Sequence, residues 1–298
     1  MTSLYRIRFK LRSAIVTPLK GDTIWGHIVW GIANNEGPEK VAEFLGREKT
    51  NPPELVVSSA FPAGMVCRPL PSPKDRDGSL DTVTYSKIKQ DKKKKYELAS
   101  EFFAEAVDAP YKALLEKKLP LEKAEAMHNT IDRSTNTVLE GGLYSTEELW
   151  PRILDWDFYV LSSLGTDRIK ELVGWAFENG YGADASTGKG KIDEIGDPVP
   201  VTAKEKGNSY MALGPFVAPK NGMNNLRADI FIRSGKLGGA FASSLPPHKK
   251  TAVLYDEGAV FNCDEDIQYV GGLLEKMHGT EEFNICQSGF APVIPIRV

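Results

Sequence analysis

The residue types best placed to do chemistry lie between Gly180 and Lys191, in the stretch Gly-Tyr-Gly-Ala-Asp-Ala-Ser-Thr-Gly-Lys-Gly-Lys. Glycines at 180, 182, 188 and 190 permit positive φ and close backbone approach. The N–H groups such a loop exposes, flanked by the Ser186 and Thr187 hydroxyls and by Lys189 and Lys191, attract phosphate. A nucleotide-binding P-loop needs four residues between its first glycine and Gly-Lys, then Ser or Thr after the lysine. Here five residues separate Gly182 from Gly188, and Gly190 follows Lys189. No helix is signalled afterwards, because 192–200 is acidic and carries Pro198 and Pro200. Spacing and context thus both fail the P-loop. Two readings stay open: a tight turn between elements, or a loop that holds a nucleic-acid backbone by shape and charge without reading bases.

Other candidate groups are scattered. Arg6, Arg8, Lys10 and Arg12 alternate with Tyr5, Ile7, Phe9 and Leu11, the period of a half-buried strand with a basic outer face. Such a face is either simply solvated or part of an RNA-binding sheet. Lys87, Lys89 and Lys92 to Lys95 gather six cations around Asp91, which reads as a solvated loop or a phosphate-facing one. Two β-like runs over 127–144 flank Ser134-Thr135-Asn136 and predict a hairpin. Beside its turn, Asp132 and Arg133 form either a weak surface pair or, in the case of Arg133, a phosphate ligand.

An enzyme would need a constellation, and none assembles. There is no HExxH and no Gly-x-Ser-x-Gly, and the histidines at 27, 128, 248 and 278 sit in unlike contexts. The Gly-Gly pairs at 141, 238 and 271 are never followed by paired acids that could hold a divalent cation. Cys67, Cys263 and Cys286 are far apart and read as reduced thiols, not zinc ligands. A binding protein without metal or cofactor is favoured by elimination.

These residues need elements to hold them. At 298 residues, 41% apolar and 26% charged, the chain supports a sizeable core and two domains. No apolar run approaches a membrane span and no signal-peptide layout is visible, so a cytoplasmic location is expected, with no membrane partner. A net charge of −3 argues against free coating of nucleic acid and leaves room for a local RNA-binding patch. After the basic strand, a helix is expected from an N-cap at Asp22 or Thr23 to about Asn34, with Ile24, Ile28 and Ile32 on one face. Gly26 and Gly31 weaken it unless close packing compensates. Leu55–Phe61 predicts a strand, 96–119 a helix interrupted by Pro110, 152–164 a strand and 167–178 a short helix. The remainder is β-rich, over 210–217, 226–233, 251–255 and 283–298. The expected class is α+β. Its first domain (1–197) would be a split β-α-β, ferredoxin-like unit with an insertion over about 74–150. A second, β-rich domain would span 198–298.

Taken in order, several stretches resemble one family. They are Gly21-Asp22-Thr23-Ile24-Trp25-Gly26, His128-Asn129 with Ile131-Asp132-Arg133, Glu140-Gly141-Gly142-Leu143-Tyr144, the loop Gly180–Gly190, Lys249-Lys250 ahead of Glu257-Gly258, and Gly289 to Pro295. Together they are similar to Csm4-type RAMP (Cas5-like) subunits of type III-A CRISPR interference complexes. The resemblance implies two ferredoxin-like (RRM-like) domains and no catalytic role. It implies a subunit that caps the backbone filament, binds the 5′ handle of crRNA, and docks a large polymerase/cyclase-type subunit and a backbone RAMP subunit, meeting target RNA only indirectly. It places Asn129, Ile131, Asp132 and Arg133 on a thumb that kinks the guide, and Gly182, Ser186, Thr187, Gly188, Lys189, Gly190 and Lys191 along the RNA. Arg6, Arg8, Gly21, Asp22, Lys249 and Lys250 complete the expected RNA-binding set. Tyr144 and Tyr181 are candidates for stacking on bases. Asn136 stands where relatives often have glycine, and His27 where they commonly have a small or apolar residue. The alternative within the same superfamily is a metal-independent crRNA-processing endoribonuclease with His27 or His128 as general acid or base.

Overall fold

The alternation of Tyr5, Ile7, Phe9 and Leu11 with four cations builds the central strand of the molecule. β1 (Ser3–Leu11) buries Ile7, Phe9 and Leu11 completely. The computed structural model describes residues 2–72, 94–105, 107–219, 222–238, 241, 246–279 and 284–297. Of the lysine-rich run, Lys87, Lys89, Lys92 and Lys93 lie outside these.

α1 (Gly21–Glu36) follows and buries Ile24, Trp25, Ile28 and Ile32, the stripe expected from their spacing. It begins two residues earlier than a cap at Asp22 predicts, with Lys20 at the cap position, and the Asp22 carboxylate is drawn to Arg233 instead. Close packing offsets the helix penalty at Gly31, where a Cβ would stand 2.8 Å from that of Trp175, whereas Gly26 faces open space. α2 (Pro38–Glu48) was not anticipated. Its signals are Pro38 in the first turn and Val41, Phe44 and Leu45 at helical spacing.

The chain then forms β2 (Leu55–Val57), β3 (Phe61–Pro62), β4 (Met65–Cys67) and β5 (Tyr96–Leu98). The helix expected over 96–119 does not form there. Ala99 and Phe103 are pulled into a core with Phe61 and Tyr159, so after β5 the chain makes only a short 3-10 turn (Ala99–Glu101), and one α-helical turn, α3 (Lys112–Leu115), remains after Pro110. A long hairpin, β6 (Leu121–Asp132) and β7 (Thr137–Pro151), leads into β8 (Asp155–Ser162), α4 (Thr166–Phe177), β9 (Ile192–Asp193) and β10 (Val199–Pro200).

The first sheet runs β10–β1–β8–β2, every neighbour antiparallel, with β9 and β3 paired at its margins. β10 pairs with β1, so this sheet reaches Pro200. α1 and α4 cover one face, over Phe9, Leu11, Trp156, Phe158 and Val160. Residues of the second half cover the other, where Tyr159 meets Met211, Leu213 and Ile294. β8 is therefore buried on both faces, and its run of apolar residues follows from that.

The second half contributes β11 (Ser209–Ala212), β12 (Asn224–Arg227), β13 (Ile230–Arg233), β14 (Ala252–Tyr255), β15 (Val260–Asn262), β16 (Tyr269–Leu274) and β17 (Gln287–Pro295). Five of these form a sheet in the order β12–β15–β11–β17–β16, and β13 and β14 form a separate ribbon. Among the described residues no α-helix follows Phe177. The architecture is mixed α and β with mostly antiparallel sheets.

Candidate nucleic-acid interface

The glycine-rich loop joins α4 to β9. Gly180, Gly182, Asp184, Gly188 and Gly190 all take positive φ. At Gly190 no side chain fits, since a Cβ would lie 2.0 Å from the Tyr181 carbonyl oxygen. The loop does not present a row of free amides. The Gly182 N–H donates to His27 Nε2 at 3.0 Å and the Ala183 N–H to Thr17 Oγ1 at 3.0 Å. The Gly190 and Lys191 N–H groups donate to Ala14 O and Ser13 Oγ. Thr187, Gly188 and Lys189 donate within the loop to Asp184 O or Ala185 O. The amides of Asp184, Ala185 and Ser186 have no protein acceptor among the described residues. This crest, with the exposed Ser186 and Lys191, is what the loop offers an anion, while the Thr187 hydroxyl donates to Asp184 O at 2.9 Å.

Lys189 has another task. Its Nζ lies 2.5 Å from Glu148 Oε1, on a carboxylate only 2% exposed, and 5.4 Å from the centre of the Trp150 ring. Glu148 and Trp150 belong to β7, so Lys189 fastens the loop to the base of the hairpin. Tyr181 is fully buried and donates its hydroxyl to Pro18 O at 2.6 Å, which removes it as a base-stacking residue.

The hairpin is present where Ser134-Thr135-Asn136 foretold its turn. Asn136 has φ 54°. Asp132 Oδ1 accepts from the Ser134 N–H at 2.8 Å and hydroxyl at 2.6 Å, which holds its carboxyl below the usual range. It closes the turn instead of pairing with Arg133, whose exposed side chain meets no partner among the described residues. Near the tip the register shifts: Asn129 faces Leu143, yet Ile131 faces Val138, so Thr130 opposes the four residues Leu139–Gly142. That bulge explains the Gly141-Gly142 pair, with Gly141 at φ 73°. Met127, Asn129 and Ile131 share a face with Leu143 and Val138, and the four apolar members are each more than half exposed. On the opposite face Tyr144 stacks on His128 at 5.3 Å, and His128 Nε2 meets Thr146 Oγ1 at 2.9 Å.

The basic face of β1 is not a bare cationic surface. Asp157, fully buried, takes Arg8 in a two-point pair at 2.7 and 3.0 Å and Arg6 at 3.4 Å, while Asp108 takes the rest of Arg8. Lys10 pairs with Glu194, and Arg12 with Asp193 and Glu194. The sequence signal was the alternation; the matching carboxylates at Asp108, on β8, and at and just after the end of β9 could not be read from it.

Gly21 and Asp22 also serve packing. A Cβ at Gly21 would fall 2.5 Å from Val57 O. Asp22, 5% exposed, accepts two hydrogen bonds from Arg233 at 2.7 and 2.8 Å and one from Gln287 at 3.3 Å, joining α1 to the second half. Lys249 approaches the same cluster, its Nζ donating to Cys286 O at 3.3 Å; burial lowers its pKa, opposed by Asp22. Lys250 is exposed. Thus Gly21, Asp22, Lys249 and the Tyr181–Gly182 end of the loop gather near the start of α1, the loop continues to the hairpin base, and 129–133 stand at the far end of the arm. Arg233 and His27 are the residues that sequence reasoning left out of this arrangement.

The fold and these features define a mixed α and β protein with two main antiparallel sheets and a projecting hairpin latched to a glycine-rich loop. No family model and no curated protein matches the chain. Solved structures do. A chain of the Csm1–Csm4 cassette crystallised with AMPPNP matches with a TM-score of 0.60 at 12% identity, over 100% of this chain and 99% of that one. The same cassette with pppApA gives 0.59 at 13%, over 100% and 99%. The Csm3–Csm4 subcomplex of the type III-A CRISPR-Cas interference complex gives 0.57 at 12%, over 99% and 100%. Csm4 is the component these assemblies share, and the chain has a Csm4-type fold.

Proposed function

We propose that this chain is a non-catalytic subunit of a type III-A CRISPR RNA-guided complex. In this reading it caps the backbone filament, binds the 5′ handle of crRNA, and docks a large polymerase/cyclase-type subunit and a backbone RAMP subunit in the cytoplasm. The observation that carries the reading is the full-length likeness of fold to a component that forms cassettes with Csm1 and subcomplexes with Csm3. The order β10–β1–β8–β2 with two helices on one face supports a ferredoxin-like first half; the second half supports that label less, having sheets alone among its described residues.

In this reading the RNA track does not follow the basic face of β1. Arg6, Arg8 and Asp22 are committed to ion pairs, so the candidates for RNA contact are the Asp184–Gly188 crest, Lys191, Lys250, and the hairpin tip with Arg133. A single-stranded handle suits such a surface, because it is held by backbone contacts and stacking more than by base-edge reading. The endoribonuclease alternative finds little support. His27 is engaged by the Gly182 N–H, and His128 by Tyr144 and the Thr146 hydroxyl, so neither stands free as a general acid or base.

Co-expression of the tagged chain with its neighbouring genes tests the proposal. A multisubunit particle whose RNA shares one 5′ end supports it. A lone chain that cuts repeat RNA without metal would replace it with the nuclease reading.

A further inference from the structure

His27 joins α1, the end of α4 and the entrance of the glycine-rich loop. It sits on α1, its Nε2 accepts the Gly182 N–H at 3.0 Å, and the ring lies beside the Ala176 main chain in the last turn of α4. A main-chain N–H can only donate, so Nε2 carries its lone pair and the neutral ring holds its proton on Nδ1. The ring also stacks on Tyr181 at 5.0 Å, and the Tyr181 hydroxyl is tied to Pro18 O. Both Tyr181 and Gly182 stand at the entrance of the glycine-rich loop. Burial lowers the imidazole pKa to about 4, so the accepting lone pair persists across the neutral range.

We propose that His27 is a positioning residue that fixes the glycine-rich loop in its RNA-receiving shape through the Gly182 amide. The RNA half of this inference rests on the handle-binding reading above. Gly182 at φ 77° has no side chain to lock it, and a glycine held in this region loses much conformational freedom. One end of the loop is clamped by Lys189 on Glu148; His27 clamps the other. Between the clamps stands the crest 184–188. The loop is thereby ordered before RNA arrives, and the entropy of ordering is not charged against binding.

Two substitutions separate this role from simple packing. His27→Leu keeps a side chain of similar bulk and removes the acceptor. His27→Gln places an amide oxygen near the position of Nε2. Amide hydrogen exchange at Gly182 is measured in the full chain without RNA, and affinity is measured for labelled RNA made from the host's own CRISPR repeat across a salt series. The expected result for His27→Leu is at least about tenfold faster Gly182 exchange and about fivefold weaker RNA binding, with an unchanged salt slope because no cation is lost. His27→Gln restores both to within about twofold. Wild-type exchange in His27→Leu, or equal losses in both variants, would overturn the proposal. If the exchange responds as expected while the wild-type chain binds no repeat RNA, the loop anchor stands and the handle-binding reading falls.

Discussion

Replacing Lys189 with methionine separates two tasks that its neighbourhood makes distinguishable. The ammonium lies 2.5 Å from a carboxylate that is 2% exposed, while the lysine side chain itself is 20% exposed. Removing one partner of a fully buried pair costs about 3–5 kcal/mol, because the other charge is left unpaired. Solvent at Lys189 discounts this, and Glu148 keeps the indole N–H of Trp150 at 3.1 Å, so a loss of about 2 kcal/mol is expected, with the lost Trp150 cation–π contact included. Methionine retains the apolar stem, so packing changes little. Urea unfolding of Lys189→Met, Glu148→Gln and the double variant should give a coupling of at least about 1 kcal/mol. Lys191→Ala is the contrast: its side chain is exposed, so stability should change by less than about 0.5 kcal/mol, while repeat-RNA binding loses about one unit of salt slope. If Lys189→Met leaves stability intact and itself lowers the salt slope, Lys189 binds phosphate and the latch argument is wrong.

Three further outcomes can be checked on the same chain. Asp22→Ala strands Arg233, 15% exposed, and removes the bridge between α1 and the second half; it should cost about 3 kcal/mol, seen as a lower thermal midpoint. Burial raises the Glu48 carboxyl from its ordinary 4.5 to about 8 against the opposing hydrogen bonds from Leu55 and Trp25. The folded state therefore holds a proton that the unfolded chain has released, so this group's contribution to stability falls as pH rises from about 4.5 to about 8 and is flat outside that window; Glu48→Gln should flatten the profile, and an unchanged profile would refute the assignment. Ile131→Ser with Val138→Ser, both exposed at the hairpin tip, should leave the unfolding midpoint within about 0.5 kcal/mol and reduce recovery of the assembled particle; a large stability loss would mean that the tip packs on the body.

Local rules carried a good part of the fold. The period-two alternation of β1, the Ile24/Ile28/Ile32 stripe of α1 and the Ser-Thr-Asn turn each depend on neighbours in the chain, and each was legible. So was the glycine-rich loop as a place where the backbone must take positive φ. The segment 96–119 failed because Ala99 and Phe103 answer to a distant core and not to helical periodicity.

The charges were the least legible feature. Sequence alone determined that β1 has a basic face and that lysines flank a glycine loop. Only the tertiary structure decided which of those cations remain free. Asp157 lies 149 residues from Arg8, Glu148 lies 41 from Lys189, and Arg233 lies 211 from Asp22. An ion pair is set by distance in space and by the dielectric around it, and neither is written in residue order. The same holds for His27, whose neighbours on α4 and in the loop are about 150 residues away: its type announces nitrogens that can bond, and only the fold says which group they meet.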